Sequence, residues 1–143
     1  ILNGEPINVY NNGVMKRDFT FIDDIVQGVI RVLDKTPTPQ KNKYSSAKAP
    51  YRIYNIGNNN PVTLRDFINA IEEACGVRAI ENLLPMQPGD VPITYADIDG
   101  LLEDIEYKPT TNINIGLKKF VDWYMSKYFL QTSISIHCSF FCW

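Results

Sequence analysis

Histidine is almost absent from this sequence and cysteine is scarce. His137, Cys75, Cys138 and Cys142 are the whole supply of imidazole and thiol ligands. His137, Cys138 and Cys142 lie close together, but three donors with nothing elsewhere to complete a tetrahedron are a poor zinc site, and no metal is expected. Three cysteines build no disulfide framework; they point to a reducing compartment, and the expected location is the cytoplasm. No run approaches the roughly 20 apolar residues of a membrane span. Nor is there an excess of either charge: 14 basic residues face 16 acidic ones, for a formal net charge of −2. That balance excludes the concentrated basic field of a general nucleic-acid surface. No glycine-rich turn joins a strand to a helix, so no cradle for a dinucleotide pyrophosphate is written into these residues. The chain starts at Ile1 with neither an initiator methionine nor a signal-peptide pattern, and reads as if cut from something longer.

What is present suits one domain of ordinary globular composition, with 45% hydrophobic and 21% charged residues in a length of 143. The most informative stretch runs from Asn11 to Asp24. Asn-Gly following Ile7-Asn8-Val9-Tyr10 reads as a hairpin connection, because both residue types tolerate positive φ. A second strand is expected through Phe19, Phe21 and Ile22, ending at Asp23 and Asp24, whose carboxylates suit a helix N-terminus. Ile25, Val26, Val29, Ile30 and Leu33 then recur at helical spacing. Within this stretch Arg17 has chemistry that reaches beyond folding, since a guanidinium beside a glycine-containing turn is suited to gripping a phosphate with two prongs. The plainer alternative is a surface pair with Asp18 or Asp23.

Residues 35–50, rich in proline and lysine, read as a polar, mobile surface loop, a solvated linker rather than an anion site. Tyr51-Arg52-Ile53-Tyr54-Asn55-Ile56-Gly57 is apolar or aromatic on both faces, as a strand buried on two sides would be. Thr63 with Asp66 resembles a capping box; Leu64, Phe67, Ile68, Ile71 and Cys75 form the apolar stripe of the helix that follows, and Gly76 ends it. Cys75 is expected to be a buried core thiol. Residues 78–84 make another short strand. The loop Leu84-Pro85-Met86-Gln87-Pro88-Gly89-Asp90-Val91-Pro92 has a backbone stiffened by proline, and it is either a ligand-contact element or a structural turn. Asp97 is expected to cap a brief helix through Leu101 and Leu102. A last helix shows Leu117, Phe120, Val121, Tyr124 and Tyr128 on one face. Residues 129–143 carry no charge and no helical period, and read as an atypical tail with a tendency to aggregate.

Taken in order, the segments Val9-Tyr-Asn-Asn-Gly-Val-Met-Lys-Arg-Asp-Phe19, Tyr54-Asn-Ile-Gly57 and Leu84-Pro-Met-Gln-Pro-Gly-Asp-Val91 resemble the C-terminal part of the extended short-chain dehydrogenase/reductases that act on nucleotide sugars. Within that family they most resemble UDP-glucuronate 4-epimerases. The resemblance runs over residues 1–128. It implies an α/β fold: the C-terminal substrate-binding lobe of a Rossmann-type enzyme, without the N-terminal dinucleotide-binding half. It further implies that Arg17 binds the UDP diphosphate, that Asn8 and Tyr10 lie against the uracil, and that Asp90 accepts from the ribose hydroxyls. Gln87 stands where many UDP-galactose 4-epimerases carry a second phosphate-binding arginine, which favours the glucuronate branch. Tyr10 as plain strand packing remains open.

The family's catalytic Tyr-x-x-x-Lys pair is missing. Tyr44 and Lys48 have its spacing, but in a proline- and serine-rich loop rather than on a helix, so no catalytic residue is expected here. NAD would belong to the intact parent and not to this chain. The expected partners are a UDP-sugar, the absent Rossmann half and, through uncovered apolar surface, a second copy; no nucleic acid and no membrane are expected. Two classes of function stay open: the binding lobe of an NAD-dependent nucleotide-sugar epimerase (or of a related 4,6-dehydratase or decarboxylase), and a non-enzymatic nucleotide-sugar-binding or assembly module.

Overall fold

A computed structural model describes residues 1–39, 45–46 and 49–129. Its elements in chain order are β1 (Ile7–Tyr10), a 3-10 turn at Asn11–Gly13, β2 (Lys16–Arg17), α1 (Ile22–Leu33), β3 (Ser45–Ser46), β4 (Ala49–Arg52), β5 (Val62–Thr63), α2 (Leu64–Cys75), β6 (Glu81–Leu84), α3 (Asp99–Ile105) and α4 (Ile113–Tyr124), with a π-helical turn at Met125–Phe129. The strands form three two-stranded pairs: β1 with β6, β2 with β5, and β3 with β4. The first pair is parallel, with Asn8 opposite Asn82 and Tyr10 opposite Leu84, and the other two are antiparallel.

The expected hairpin, with its second strand through Phe19, Phe21 and Ile22, is therefore corrected: the strand after the turn is β2 at Lys16–Arg17, and Ile22 opens α1. β1 does not pair with the chain that follows it; its partner is β6, far along the sequence. Asn11, Asn12 and Gly13 all take positive φ, at 48°, 50° and 79°. The tolerance for left-handed backbone that suggested a two-residue connection is thus used, but over three residues. The resulting turn, closed by Val14 N–H donating to the Asn11 carbonyl at 2.9 Å, delivers Lys16–Arg17 to a different strand pair.

The helices follow their local signals more closely. Asp23 and Asp24 lie in the first turn of α1. Thr63 Oγ1 accepts from Asp66 N–H at 3.0 Å and donates to Asp66 Oδ2 at 2.6 Å, and Gly76 closes α2 in the left-handed conformation. Asn112 caps α4 through Asn114 N–H. At α3 the N-cap position is Ile98, not Asp97, whose carboxylate instead accepts from Asp99 N–H at 3.2 Å. α2 and α4 pack on each other. The core collects Val9, Met15, Ile68, Ala70, Ile98, Leu101, Leu117 and Val121. Phe19 stacks on Phe67 with ring centroids 4.0 Å apart.

Apolar surface lies open in three places. In α1 the buried residues are Asp24 and Gly28; of the apolar stripe Ile25 is half-buried, while the rest is exposed, from 45% at Val26 to 76% at Leu33. The strand expected at 51–56 and buried on both sides is instead β4 at Ala49–Arg52, with Tyr51 and Ile53 exposed. On α4, Leu117 and Val121 are buried but Phe120 and Tyr124 are exposed, as is Tyr128 in the π-helical turn that follows. Cys75 is half-buried rather than sealed in the core, and burial raises its thiol pKa above the ordinary value. The stretch 35–50, expected to be a loop throughout, holds β3 and the start of β4; its residues 40–44 and 47–48 lie outside the described residues, among them Tyr44 and Lys48, and so do residues 130–143, with His137, Cys138 and Cys142.

Candidate functional site

Parallel strands direct their carboxyl ends toward one edge, and in α/β folds ligands collect there. β1 ends at Tyr10 and β6 at Leu84, and both lead into irregular backbone. After the Asn11–Gly13 turn the chain returns as Lys16–Arg17 and is held on both sides. Arg17 lies opposite Val62 in β5. On the other side Lys16 N–H donates to the Pro92 carbonyl at 2.9 Å, and Thr94 N–H donates to the Lys16 carbonyl at 3.2 Å. The segment that carries Arg17 is thereby stitched to the loop that follows β6.

That loop turns sharply at Gln87-Pro88-Gly89-Asp90. Asp90 N–H donates to the Gln87 carbonyl at 3.2 Å, and Gly89 has φ +83°. Proline at the second position and a left-handed third residue are what a type II turn requires, so glycine is needed here on steric grounds. The turn places Asp90 against Arg17: Nη2 of Arg17 donates to Asp90 Oδ1 at 2.5 Å. Nη1 donates to the Lys16 carbonyl at 2.8 Å, and Val91 N–H also reaches Asp90 Oδ1, at 2.8 Å. The side chains are 23% and 31% exposed. Both are thus fixed but open to solvent on one side. A guanidinium carries five N–H donors, so with these contacts made part of the fork is available to an anion. All of Asp90's contacts fall on Oδ1, leaving Oδ2 as a free acceptor among the described residues.

The other residues singled out from the sequence are placed as follows. Asn8 and Tyr10 share one face of β1, opposite the buried Val9. Asn8 Oδ1 accepts from Asn82 Nδ2 at 3.0 Å, so the exposed face of the parallel pair presents two adjacent carboxamides. Tyr10 is half-buried at the end of β1, and Gln87 is exposed at the turn. Arg17 and Asp90 are in contact; among the described residues the Gln87 side chain makes no hydrogen bond to either. The alternative partners considered for Arg17 are engaged elsewhere: Asp23 meets Lys119 Nζ at 3.4 Å, and Asp18 accepts backbone N–H groups. The sequence does not announce where Asn82 and Asp18 stand. Asn82 was detectable only from its register with Asn8. Asp18 was visible as the neighbour of Arg17 but was weighed only as a counter-charge.

Some chemistry does not fit the residues present. A dinucleotide pyrophosphate needs a glycine-rich turn feeding a helix N-terminus. Here β1 runs into a 3-10 turn, and the first turns of α1, α2 and α3 carry Asp23 and Asp24, Asp66, and Asp99. Carboxylates at these ends oppose a pyrophosphate. Among the described residues no group of three histidine, cysteine, aspartate or glutamate side chains could hold a metal, and no helix is long and apolar enough to cross a membrane. A separate cavity of about 320 Å³ between the starts of α1 and α4 is lined by Phe19, Phe21, Phe67, Leu117 and Phe120, and by neither Arg17 nor Asp90.

Residues 1–57 match the NAD dependent epimerase/dehydratase family. The chain is 41% identical over 136 residues to a probable UDP-glucuronate 4-epimerase of Rhizobium meliloti, covering 90% of this chain and 40% of that protein. It is 43% identical over 142 residues to UDP-glucuronate 4-epimerase 1 of Arabidopsis thaliana, covering 95% and 33%. In three dimensions it is similar to UDP-glucuronic acid 4-epimerase from Bacillus cereus in complex with UDP-glucuronic acid and NAD, with a TM-score of 0.70 and 28% identity over 89% of this chain and 37% of that one. The chain spans between 30% and 40% of the length of the curated relatives it matches. Its architecture is that of the corresponding part of Rossmann-type epimerases.

Proposed function

We propose, with kinship to the NAD dependent epimerase/dehydratase family and to UDP-glucuronate 4-epimerases as the premise, that this chain is the substrate-binding part of an NAD-dependent nucleotide-sugar epimerase, and that its nucleotide sugar is UDP-glucuronate. The observation that carries the reading is the Arg17–Asp90 pair at the carboxyl ends of the parallel strands β1 and β6. Arg17 offers the unused part of its fork to the diphosphate, and Oδ2 of Asp90 accepts from the ribose hydroxyls. Asn8 and Tyr10, on the exposed face of β1, flank the base. Gln87 brings no second cation to the phosphates, which leaves Arg17 as the main counter-charge.

Interconversion at C4 of the sugar needs a hydride acceptor and an acid–base group, and NAD supplies the first when bound in the parent enzyme. The described residues offer neither a cradle for NAD nor a placed acid–base pair, so the reading assigns this chain binding and orientation of the nucleotide, not turnover. The test is calorimetric titration of UDP into the full-length protein. Arg17→Ala is expected to weaken UDP roughly ten- to a hundredfold, the equivalent of about 1.5–3 kcal/mol for a charged hydrogen bond. Equal affinity for the two forms would overturn the assignment.

A further inference from the structure

Arg17 and Asp18 are chain neighbours with different tasks. Among the described residues Asp18 pairs with no cation. Its Oδ2 accepts from Asn59 N–H and from Ala96 N–H, both at 3.0 Å, and its Oδ1 accepts from Asn60 N–H at 3.3 Å. An ionised carboxylate that accepts several backbone N–H groups makes stronger bonds than neutral pairs do. These donors belong to two segments distant in sequence, 58–60 and the end of the loop that carries Asp90.

The surrounding contacts tighten the same junction. Thr20 Oγ1 accepts from Asn58 N–H at 3.0 Å, and Asn59 Nδ2 donates to the Ala96 carbonyl at 3.0 Å. Asn59 adopts φ +53° while making these bonds. At Gly57 an added Cβ would collide with Ala96 Cβ and lie 3.2 Å from Asp18 Oδ2, so the two segments abut with no room for a side chain. The loop bearing Gln87 and Asp90 is consequently held at one end by β6, at Pro92 and Thr94 by Lys16, and at Ala96 by Asp18.

We propose that Asp18 is a positioning residue for nucleotide binding at Arg17. By holding Ala96 it anchors the far end of the loop, and so helps to set where Asp90 stands relative to the Arg17 guanidinium. The inference rests on the reading that this site binds a nucleotide diphosphate, and it opposes what charge alone dictates. A carboxylate beside an anion-binding arginine weakens the local positive field, so neutralising it should tighten UDP if field were all that mattered. If position decides, neutralising Asp18 puts an NH2 group against backbone N–H donors, the junction loosens, and UDP binds more weakly.

The experiment is UDP titration of the full-length protein as wild type, Arg17→Ala, Asp18→Asn and the double variant, with thermal unfolding to establish that each is folded at the titration temperature. Asp18→Asn is expected to weaken UDP on the order of tenfold, and the double variant to lose clearly less than the product of the two single losses, because the sites are coupled. Unchanged or tighter binding by Asp18→Asn, or losses that multiply in the double variant, would overturn the inference while leaving Arg17 in place. No loss in Arg17→Ala would instead overturn the nucleotide reading, and the inference with it. Should Asp18→Asn fail to fold, Asp18→Ser removes the charge and keeps one short acceptor for these backbone N–H groups. A severalfold loss of UDP affinity in that variant supports the proposal, and wild-type affinity refutes it.

Discussion

Arg17 would meet a nucleotide with its guanidinium partly engaged, Nη2 on Asp90 and Nη1 on the Lys16 carbonyl. An arginine side chain carries about 2 kcal/mol of rotamer entropy, and part of that cost is met before any ligand arrives. The opposing effect is that Asp90 cancels some of the positive field, so geometry matters more here than net charge. A second carboxylate, Glu72, shows what buried pairing does to titration. It accepts from Ala79 N–H at 2.8 Å and faces Arg78 Nη1 at 2.5 Å. These contacts, the Ala79 bond foremost, hold its pKa below the ordinary glutamate value. With the folded value below the unfolded one, near 4.3, the contribution to stability is present above that pH and is lost as pH falls through the folded value. Glu72→Gln is therefore expected to destabilise the protein at pH 7 and to flatten the loss of stability between about pH 5 and 3. Urea midpoints measured across that range check both points.

Among the elements, α2 is the one whose sequence signals and contacts agree most fully. Thr63 and Asp66 cap its start and Gly76 closes its end, while Ile68 and Ala70 are buried. Thr63→Ala should cost about 1 kcal/mol in chemical unfolding, the usual worth of an N-cap, with the midpoint shifted and the slope kept. The strands are another matter. β1 was legible as a strand from its alternation, but its partner β6 was not, because a parallel partner must come from beyond a long crossover and no local turn announces it. Asn11 and Asn12 carried a true signal for positive φ; which strands they join is settled by the pairing of β2 with β5 and with the loop at Pro92–Thr94. The candidate site was legible in the same uneven way. Arg17, a cation beside a turn, and Asp90, a carboxylate on a loop stiffened by proline, could be named from residue type. That they touch could not, and Asp18 looked like a surface counter-charge until its three backbone donors were in view.

At the scale of the whole molecule the apolar stripe of α1, together with Tyr51, Ile53 and the Phe120, Trp123 and Tyr128 rings, lies open to solvent. Surfaces of this kind mark interfaces or aggregation liabilities. The 143-residue chain alone is expected to self-associate with rising concentration, and sedimentation velocity would check it; a clean monomer across the range would count against the expectation. The sequence by itself determined which segments are helical, the caps of α2, where backbone turns left-handed at Asn11–Gly13, and which side chains have ligand chemistry. Those properties depend on residue type and on neighbours within a few positions. The tertiary structure alone decided that β1 lies beside β6, that the face of α1 is uncovered, and that Arg17 rests on Asp90 while Asp18 holds the loop behind it. Each of these depends on contacts between residues far apart in sequence, and periodicity, which reports that a face is apolar, carries no information about what covers it.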